Sequence, residues 1–244
     1  MAKIQGESLP NCFRLIVLFF ETTPEIEQIE AALDGLPAPI IIHFAKCDAH
    51  SARAAMWTRN PTERLPTGRL ALEYADDVLD FAAACALAEV LGGEAHWCLG
   101  RSPIPHPLTG AGDLSRTFSD TFSGTFSGTF SGTLQICCFQ RAEGLSNEEL
   151  EHIWFEEHAP VAIETQNNVG YRQNLVLNSS HTALDGIVEE LFPIEAADSL
   201  NHFFADGDDV EKMMHHINRL TESSERVLDL DKSSVIHMTE QCLR

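Results

Sequence analysis

LSNEELEHIWFEEHAPVAIETQNNVGYRQNLV, residues Leu145–Val176, reads as a helix start, an amphipathic helix, a proline and then a strand. Ser146 or Asn147 suits the cap, and Glu148 and Glu149 suit the positive end of the helix dipole. A step of about 100° per residue puts Leu150, Ile153, Trp154, Val161 and Ala162 on one broad arc. His158 falls inside that arc, one turn after Trp154, while Glu148, Glu149, His152 and Glu156 take the wet face. Pro160 cannot donate to the carbonyl of Glu156, so the helix should kink just after His158. A lone histidine on an apolar face is ordinarily a hydrogen-bonded core residue. Beside a helix break it also invites a chemical reading. Glu157 intrudes into the same arc, either as a partner for His158 or as the helix rim.

The chain has 244 residues, 44% hydrophobic and 22% charged, enough for one large or two small domains with an ordinary globular core. Its net charge of −21 is unevenly placed. Residues 1–116 hold 15 acidic and 9 basic side chains, net −6, and residues 117–244 hold 22 and 7, net −15. Such a surface repels phosphate, which argues against nucleic acid and anionic membrane as partners. The seven cysteines are odd in number and form no CxxC pair, and Cys85, Cys98 and Cys137 lie inside apolar runs. That pattern fits a reducing compartment better than a disulfide scaffold. The apolar run Leu15–Phe20 is too short to span a membrane and follows no basic leader. The expectation is a soluble, cytoplasmic protein.

Upstream of the opening stretch, Phe13–Phe20 predicts a buried strand, and EIEQIEAALDGL after Pro24 a helix stopped by Gly35 and Pro37. Strands at Ile40–Phe44, Arg69–Tyr74 and Ala95–Leu99, and an alanine-rich helix over Asp76–Leu91, complete a β-α-β-β-α-β order. Residues 46–68 read as a long connection with a short helix near Ala54–Trp57. Downstream, strands at Thr133–Gln140, Tyr171–Asn178, Asp185–Phe192 and Ser234–Thr239 repeat the order. Their helices are the opening one and a segment from Ala196 that pauses at Asp206–Asp209 and resumes to about Leu220. Between the halves, TFSD-TFSG-TFSG-TFSG-T (Thr117–Thr133) has a four-residue period that fits neither strand nor helix. It reads as a linker, or as a segment whose Phe118, Phe122, Phe126 and Phe130 dock on an apolar groove. The expected division is 1–116, a linker 117–132, and 133–244. The expected fold class is α+β: two tandem ferredoxin-like (βαββαβ) halves whose sheets face each other in a dimeric-α/β-barrel-type unit, with room between them for a small ligand.

The second half resembles the EthD family of dimeric α+β-barrel proteins. The residues that carry the resemblance are Trp154, His158 and Pro160 in a W-xxx-H-x-P helix, then Gly170-Tyr171, Gln173-Asn174, DGIVEELF, and Arg226, Leu228 and Asp229 in the tail. It covers roughly residues 133–240; the first half has no counterpart of Trp154 or His158. The resemblance implies a cytoplasmic homodimer without metal or organic cofactor. It also implies an oxidoreductase or dehydratase acting on a small aromatic or carbonyl compound, with His158 as the acid or base. Trp154, Tyr171, Asn174 and Glu189 are the expected substrate-binding set, and Glu157, Asp185 or Glu189 could orient His158.

Two other functions compete. The same cavity in a protein without turnover would make a carrier or accessory protein for a hydrophobic metabolite. A metal enzyme would draw on His152 and Glu156, on His215-His216, or on Cys137-Cys138, but none has the spacing of a known site. No phosphate-cradling glycine motif follows a strand, and no G-x-S-x-G elbow is present, which disfavours nucleotide binding and that class of hydrolase.

Overall fold

A computed structural model of the chain describes residues 12–74, 76, 79–107, 128–204 and 208–243. The strands are β1 (Cys12–Phe19), β2 (Ile41–Lys46), β3 (Gly68–Tyr74), β4 (Glu94–Ile104), β5 (Gly128–Thr129), β6 (Thr133–Phe139), β7 (Gly170–Ser179), β8 (Gly186–Phe192) and β9 (Ser234–Cys242). The α-helices are α1 (Ile26–Leu33), α2 (Phe81–Leu91), α3 (Asn147–His152), α4 (Ala159–Thr165), α5 (Leu200–Phe204) and α6 (Val210–Glu225).

All strand pairs are antiparallel, in the order β2-β3-β1-β4-β7-β8-β6-β9. β9 then pairs back onto β2, from His43↔Cys242 to Lys46↔Thr239, and closes the sheet within one chain. The fold is mixed α+β around a closed eight-stranded antiparallel barrel, with the short β5 lying along the end of β9. Closure leaves neither half with a free sheet edge.

Strand alternation sorts side chains into two layers. Leu15, Val17 and Phe19 of β1 point outward against Ile29 of α1 and Ala84, Leu87, Ala88 and Leu91 of α2. Ile16, Leu18, Ala71, Cys98, Leu134, Ile136, Ile187, Leu191 and Met238 point inward and pack together. An eight-stranded barrel is just wide enough for such side chains to fill. The room expected between two sheets for a small ligand is taken up by this packed core, which also encloses charged side chains. There Arg69 lies 2.7 Å from Glu189 and is ion-paired with Glu240, and Arg172 reaches Glu240 at 2.7 Å and Glu189 at 3.2 Å. Arg14 pairs with Glu73 at 2.9 Å and donates to Asn174 Oδ1 at 3.1 Å. Of these, Arg69–Glu189, Arg69–Glu240 and Arg14–Asn174 join residues before 107 to residues after 133, two stretches already paired along the β4–β7 and β2–β9 seams.

Local differences from the sequence expectation have local causes. β4 runs to Ile104 rather than stopping at Leu99: Gly100 stays paired with Asn174, and a register shift between Arg101 and Ile104 accommodates Pro103. α2 starts at Phe81, capped by the Asp80 carboxylate accepting from Ala82 N. Of the four repeat phenylalanines, Phe118, Phe122 and Phe126 lie outside the described residues. Phe130 is buried in the barrel core and meets the His106 ring edge-on at 5.8 Å. Gly132 passes so close to Phe192 O that an added methyl would collide with it.

Candidate active site

The helix α3 begins with a reciprocal cap, Ser146 accepting from Glu149 N and the Glu149 carboxylate accepting from Ser146 N. Its continuation, Ile153–His158, is a π-helical turn that hands over to α4, with Pro160 in the first turn. Ala159 N donates to Trp154 O, five residues back. The cause is the proline: Pro160 has no N–H for Glu156 O, and the widened turn moves the misfit upstream of the ring. Trp154 is thereby pressed edge-on to Phe139, centroids 4.9 Å apart. Gly186 lies beneath both rings, where a methyl would collide with them.

His158 is buried, and its Nδ1 lies 2.9 Å from Ser223 Oγ of α6. Burial pushes its pKa down to about 4, with only a small opposing contribution from Ser223. The ring therefore stands between two helices on the outside of the barrel, not between facing sheets. None of the three carboxylates proposed to orient it does so. Glu157 pairs with Arg226 at 2.6 Å, Asp185 with Arg141, and Glu189 with Arg69 and Arg172 inside the barrel. The substrate-binding set divides the same way. Trp154 and Tyr171 share the helix-covered face with His158. Asn174 and Glu189 are on the barrel side, bonded to each other at 3.2 Å.

The helix-covered face carries a row of four polar side chains, of which only Tyr171 was singled out from the sequence. Register places Tyr171 of β7 opposite Glu190 of β8, Glu190 opposite Gln135 of β6, and Gln135 opposite His237 of β9. The row crosses four adjacent strands, and all four residues are at most 8% exposed. Its centre is Glu190. Gln135 Nε2 donates to Oε2 at 2.6 Å, and Asn168 Nδ2 reaches Oε1 at 3.5 Å. Gln166, with its amide nitrogen turned to the acceptors, donates to Oε1 at 2.9 Å and to Ala162 O at 3.2 Å. All three partners are neutral amides. Burial outweighs them and pushes the Glu190 carboxyl up to about 7. Beside it, burial and the Glu190 charge hold the Tyr171 hydroxyl well above its ordinary value, although the Trp154 indole beside it works the other way. Trp154 Nε1, Tyr171 Oη, Gln173 Oε1 and Asn168 Oδ1 are buried without a hydrogen bond of good geometry, each at a cost of about 1–3 kcal/mol.

A solvent-open pocket of about 340 Å³ backs onto this carboxyl. It is lined by Gln166, Asn167 and Asn168 from the α4–β7 link, Pro193, Glu195 and Ala196 after β8, and His202 of α5. Asn167 Nδ2 donates to His202 O at 2.7 Å and fixes the two sides together. The volume is near the lower end for small-molecule sites, and five of the seven lining residues are polar. Gln166 and Asn168 belong both to the pocket wall and to the Glu190 shell. Among the described residues, no three His, Cys, Asp or Glu side chains are grouped to hold a metal ion, and no helix is long and apolar enough to cross a membrane. No two of the seven cysteines form a disulfide, and four of them are buried.

Two signals of this site were in the sequence. DGIVEELF places two adjacent glutamates in an apolar strand, so one must face each side of the sheet. TLQICCFQ puts Gln135 on the face of Cys137. Ser223, Gln166 and His237 carry no local signal, because only the three-dimensional register brings them in.

No family model matches this chain, and no curated protein matches it. Solved structures similar to it include an anthrone oxidase-like protein, 10% identical, with 96% of this chain and 95% of that one aligned at a TM-score of 0.49. A candidate monooxygenase from Lactobacillus acidophilus NCFM is 9% identical over 94% of this chain and 93% of that one, at a TM-score of 0.40. A candidate monooxygenase from Fusobacterium nucleatum is 8% identical over 96% and 93%, at 0.41. Similarity this distant carries nothing about chemistry.

Proposed function

We propose that this protein is an enzyme that moves a proton on a small carbonyl-bearing molecule, with Glu190 as the acid–base group. The observation that carries this is a fully enclosed carboxyl, held by three neutral amides behind a pocket and poised near neutrality. Magnitude decides between the two titratable candidates. A general base works best with a pKa near the operating pH. Glu190, at about 7, is half ionised at pH 7, whereas His158, at about 4, is a base weaker by about three pH units. The Asn168 contact is the longest of the three and its Oδ1 is unpartnered, so Asn168 is the amide a ligand displaces most cheaply to reach the carboxyl. Trp154 Nε1–H and Tyr171 O–H are two donors on the same face without a hydrogen bond of good geometry, suited to an oxygen that gains charge as the proton leaves. In this reading Asn174 and Glu189 hold the barrel together.

The finer expectations belong to the same proposal. They are membership of the EthD family, two ferredoxin-like halves at 1–116 and 133–244 joined by a linker, an oxidative or dehydrating reaction on a small aromatic or carbonyl compound without resident cofactor, and a cytoplasmic homodimer. Each half has the same in-sheet order, its second, third, first and fourth strands. Trp154, His158 and Pro160 lie on one continuous helical stretch. A second copy is not needed to close the barrel.

The test is a panel of small phenols and carbonyl compounds followed for oxygen uptake and absorbance change, with the pH–rate profile of any substrate found. Glu190 as base predicts a limb near pH 7 and a loss of about 10²-fold or more in Glu190→Gln. A limb near pH 4, lost in His158→Ala, would return the role to the histidine. Binding without turnover, unchanged in Glu190→Gln, would make the protein a carrier.

A further inference from the structure

The row of side chains beyond Glu190 is a connected chain of hydrogen bonds. Gln135 Nε2 lies 2.6 Å from Glu190 Oε2, Gln135 Oε1 lies 3.1 Å from His237 Nε2, and His237 Nδ1 lies 3.1 Å from Thr133 Oγ1. Gln135 is at most 8% exposed, His237 3% and Thr133 0%, so water does not compete freely for these contacts.

Each contact dictates the next. An ionised carboxylate only accepts, so the amide nitrogen of Gln135 must face Glu190. Its oxygen then faces His237, whose Nε2 must carry the proton. His237 Nδ1 is left with a lone pair and accepts from the Thr133 hydroxyl. A proton on Oε2 reverses every direction. Oε2–H now donates, the Gln135 amide turns over, His237 Nε2 must accept, and the ring proton moves to Nδ1, where it donates to Thr133 Oγ1. The alternative position, Oε1, faces two donors rather than one, so Oε2 is the oxygen that disturbs least. The net change is one proton gained from solvent by the carboxyl; the imidazole loses one from Nε2, gains one at Nδ1, and stays neutral.

We propose that Gln135 and His237 are positioning residues that lock the Glu190 carboxyl in one orientation, and that His237 switches between its two neutral tautomers as Glu190 gains and loses its proton. The proposal rests on the reading of Glu190 as the acid–base group only for its link to turnover. The surroundings make the switch readable. Burial holds the His237 ring down at about 4, so it does not become an imidazolium near neutrality. The other ionisable groups facing Glu190 are Tyr171 on β7 and Cys137 on β6, both pushed up by burial, with Arg59 acting on Cys137 from beyond it. Glu195 and His202 stand at the pocket rim.

Ring-nitrogen NMR of the full, uniformly ¹⁵N-labelled chain between pH 5.5 and 8.5 tests this, with His237 assigned by the signals lost in His237→Asn. The expected result is an exchange of protonated and unprotonated shifts between Nδ1 and Nε2, centred near pH 7, with no imidazolium. The switch should vanish in Glu190→Gln, and in Gln135→Met the ring should keep one tautomer throughout. His202→Asn should leave the midpoint in place. A single His237 tautomer across the range in the unaltered chain, or protonation of its ring, would overturn the proposal. A switch seen in a protein whose turnover ignores Glu190→Gln would leave the coupling intact and remove the catalytic reading instead.

Discussion

At pH 8 the folded chain carries a carboxylate in its interior, Glu190, whose partners among the described residues are three amides and no cation. Replacing Glu190 by glutamine keeps the shape and removes the charge. The sign follows from the two states. The unfolded carboxyl titrates at its ordinary 4.5 and the folded one at about 7, so the folded state holds the proton more tightly. Below pH 4.5 both states are protonated and there is no penalty. Between 4.5 and 7 the unfolded state ionises first, so stability falls as pH rises, and above 7 the loss is complete. About 2.5 pH units at about 1.4 kcal/mol each gives a penalty of about 3 kcal/mol. Glu190→Gln should therefore be more favourable at pH 8 than at pH 5 by about 2–3 kcal/mol. For a chain of this length that is roughly 4–12 °C in Tm. Urea denaturation or calorimetry at the two pH values measures it. An equal effect of the substitution at both values, or a larger loss at pH 8, would refute the reasoning.

His158 has the opposite sign. Its folded pKa of about 4 lies below the unfolded value of 6.5, so stability is full above 6.5 and lost as pH falls toward 4, by up to about 3 kcal/mol. His158→Gln should flatten that acid limb in urea midpoints taken at pH 4.5 and 7. Arg69→Met leaves Glu189 and Glu240 in the barrel without one of their cations, so it should destabilise by about 3–5 kcal/mol in urea. Arg69→Met with Glu189→Met should cost less than the sum of the two single changes. Phe130→Ala should cost about 3–5 kcal/mol by the same assay if the last repeat unit is part of the core.

The strands and their order were legible because FRLIVLFF and TLQICCFQ are buried on both faces and admit few alternatives. A disturbance near Pro160 was legible from one missing donor, but it takes the form of a π-helical turn over Ile153–His158 in a continuous helix, not a break just after His158. What faces what was not. Arg69 and Arg172 both meet Glu240, 171 and 68 residues away, a meeting that the folding of the sheet into a barrel sets. His158 was placed on the right helical face, but its partner lies 65 residues on, in α6, on a helix expected to end near Leu220 and extending to Glu225. Glu189 was named from the sequence, and Glu190, the group proposed above as the acid–base residue, was not. Strand alternation shows that one of the two faces each side of the sheet. It does not show which side is filled with arginines and which with amides.

The most direct test of the central claim is the ¹³C-carboxyl titration of Glu190 in the folded chain, assigned by comparison with Glu190→Gln. The account predicts a midpoint near pH 7, with the resonance still that of a protonated acid at pH 5.5. A midpoint near the ordinary 4.5 would mean that water or a cation reaches the carboxyl, and that the pocket has no poised proton behind it.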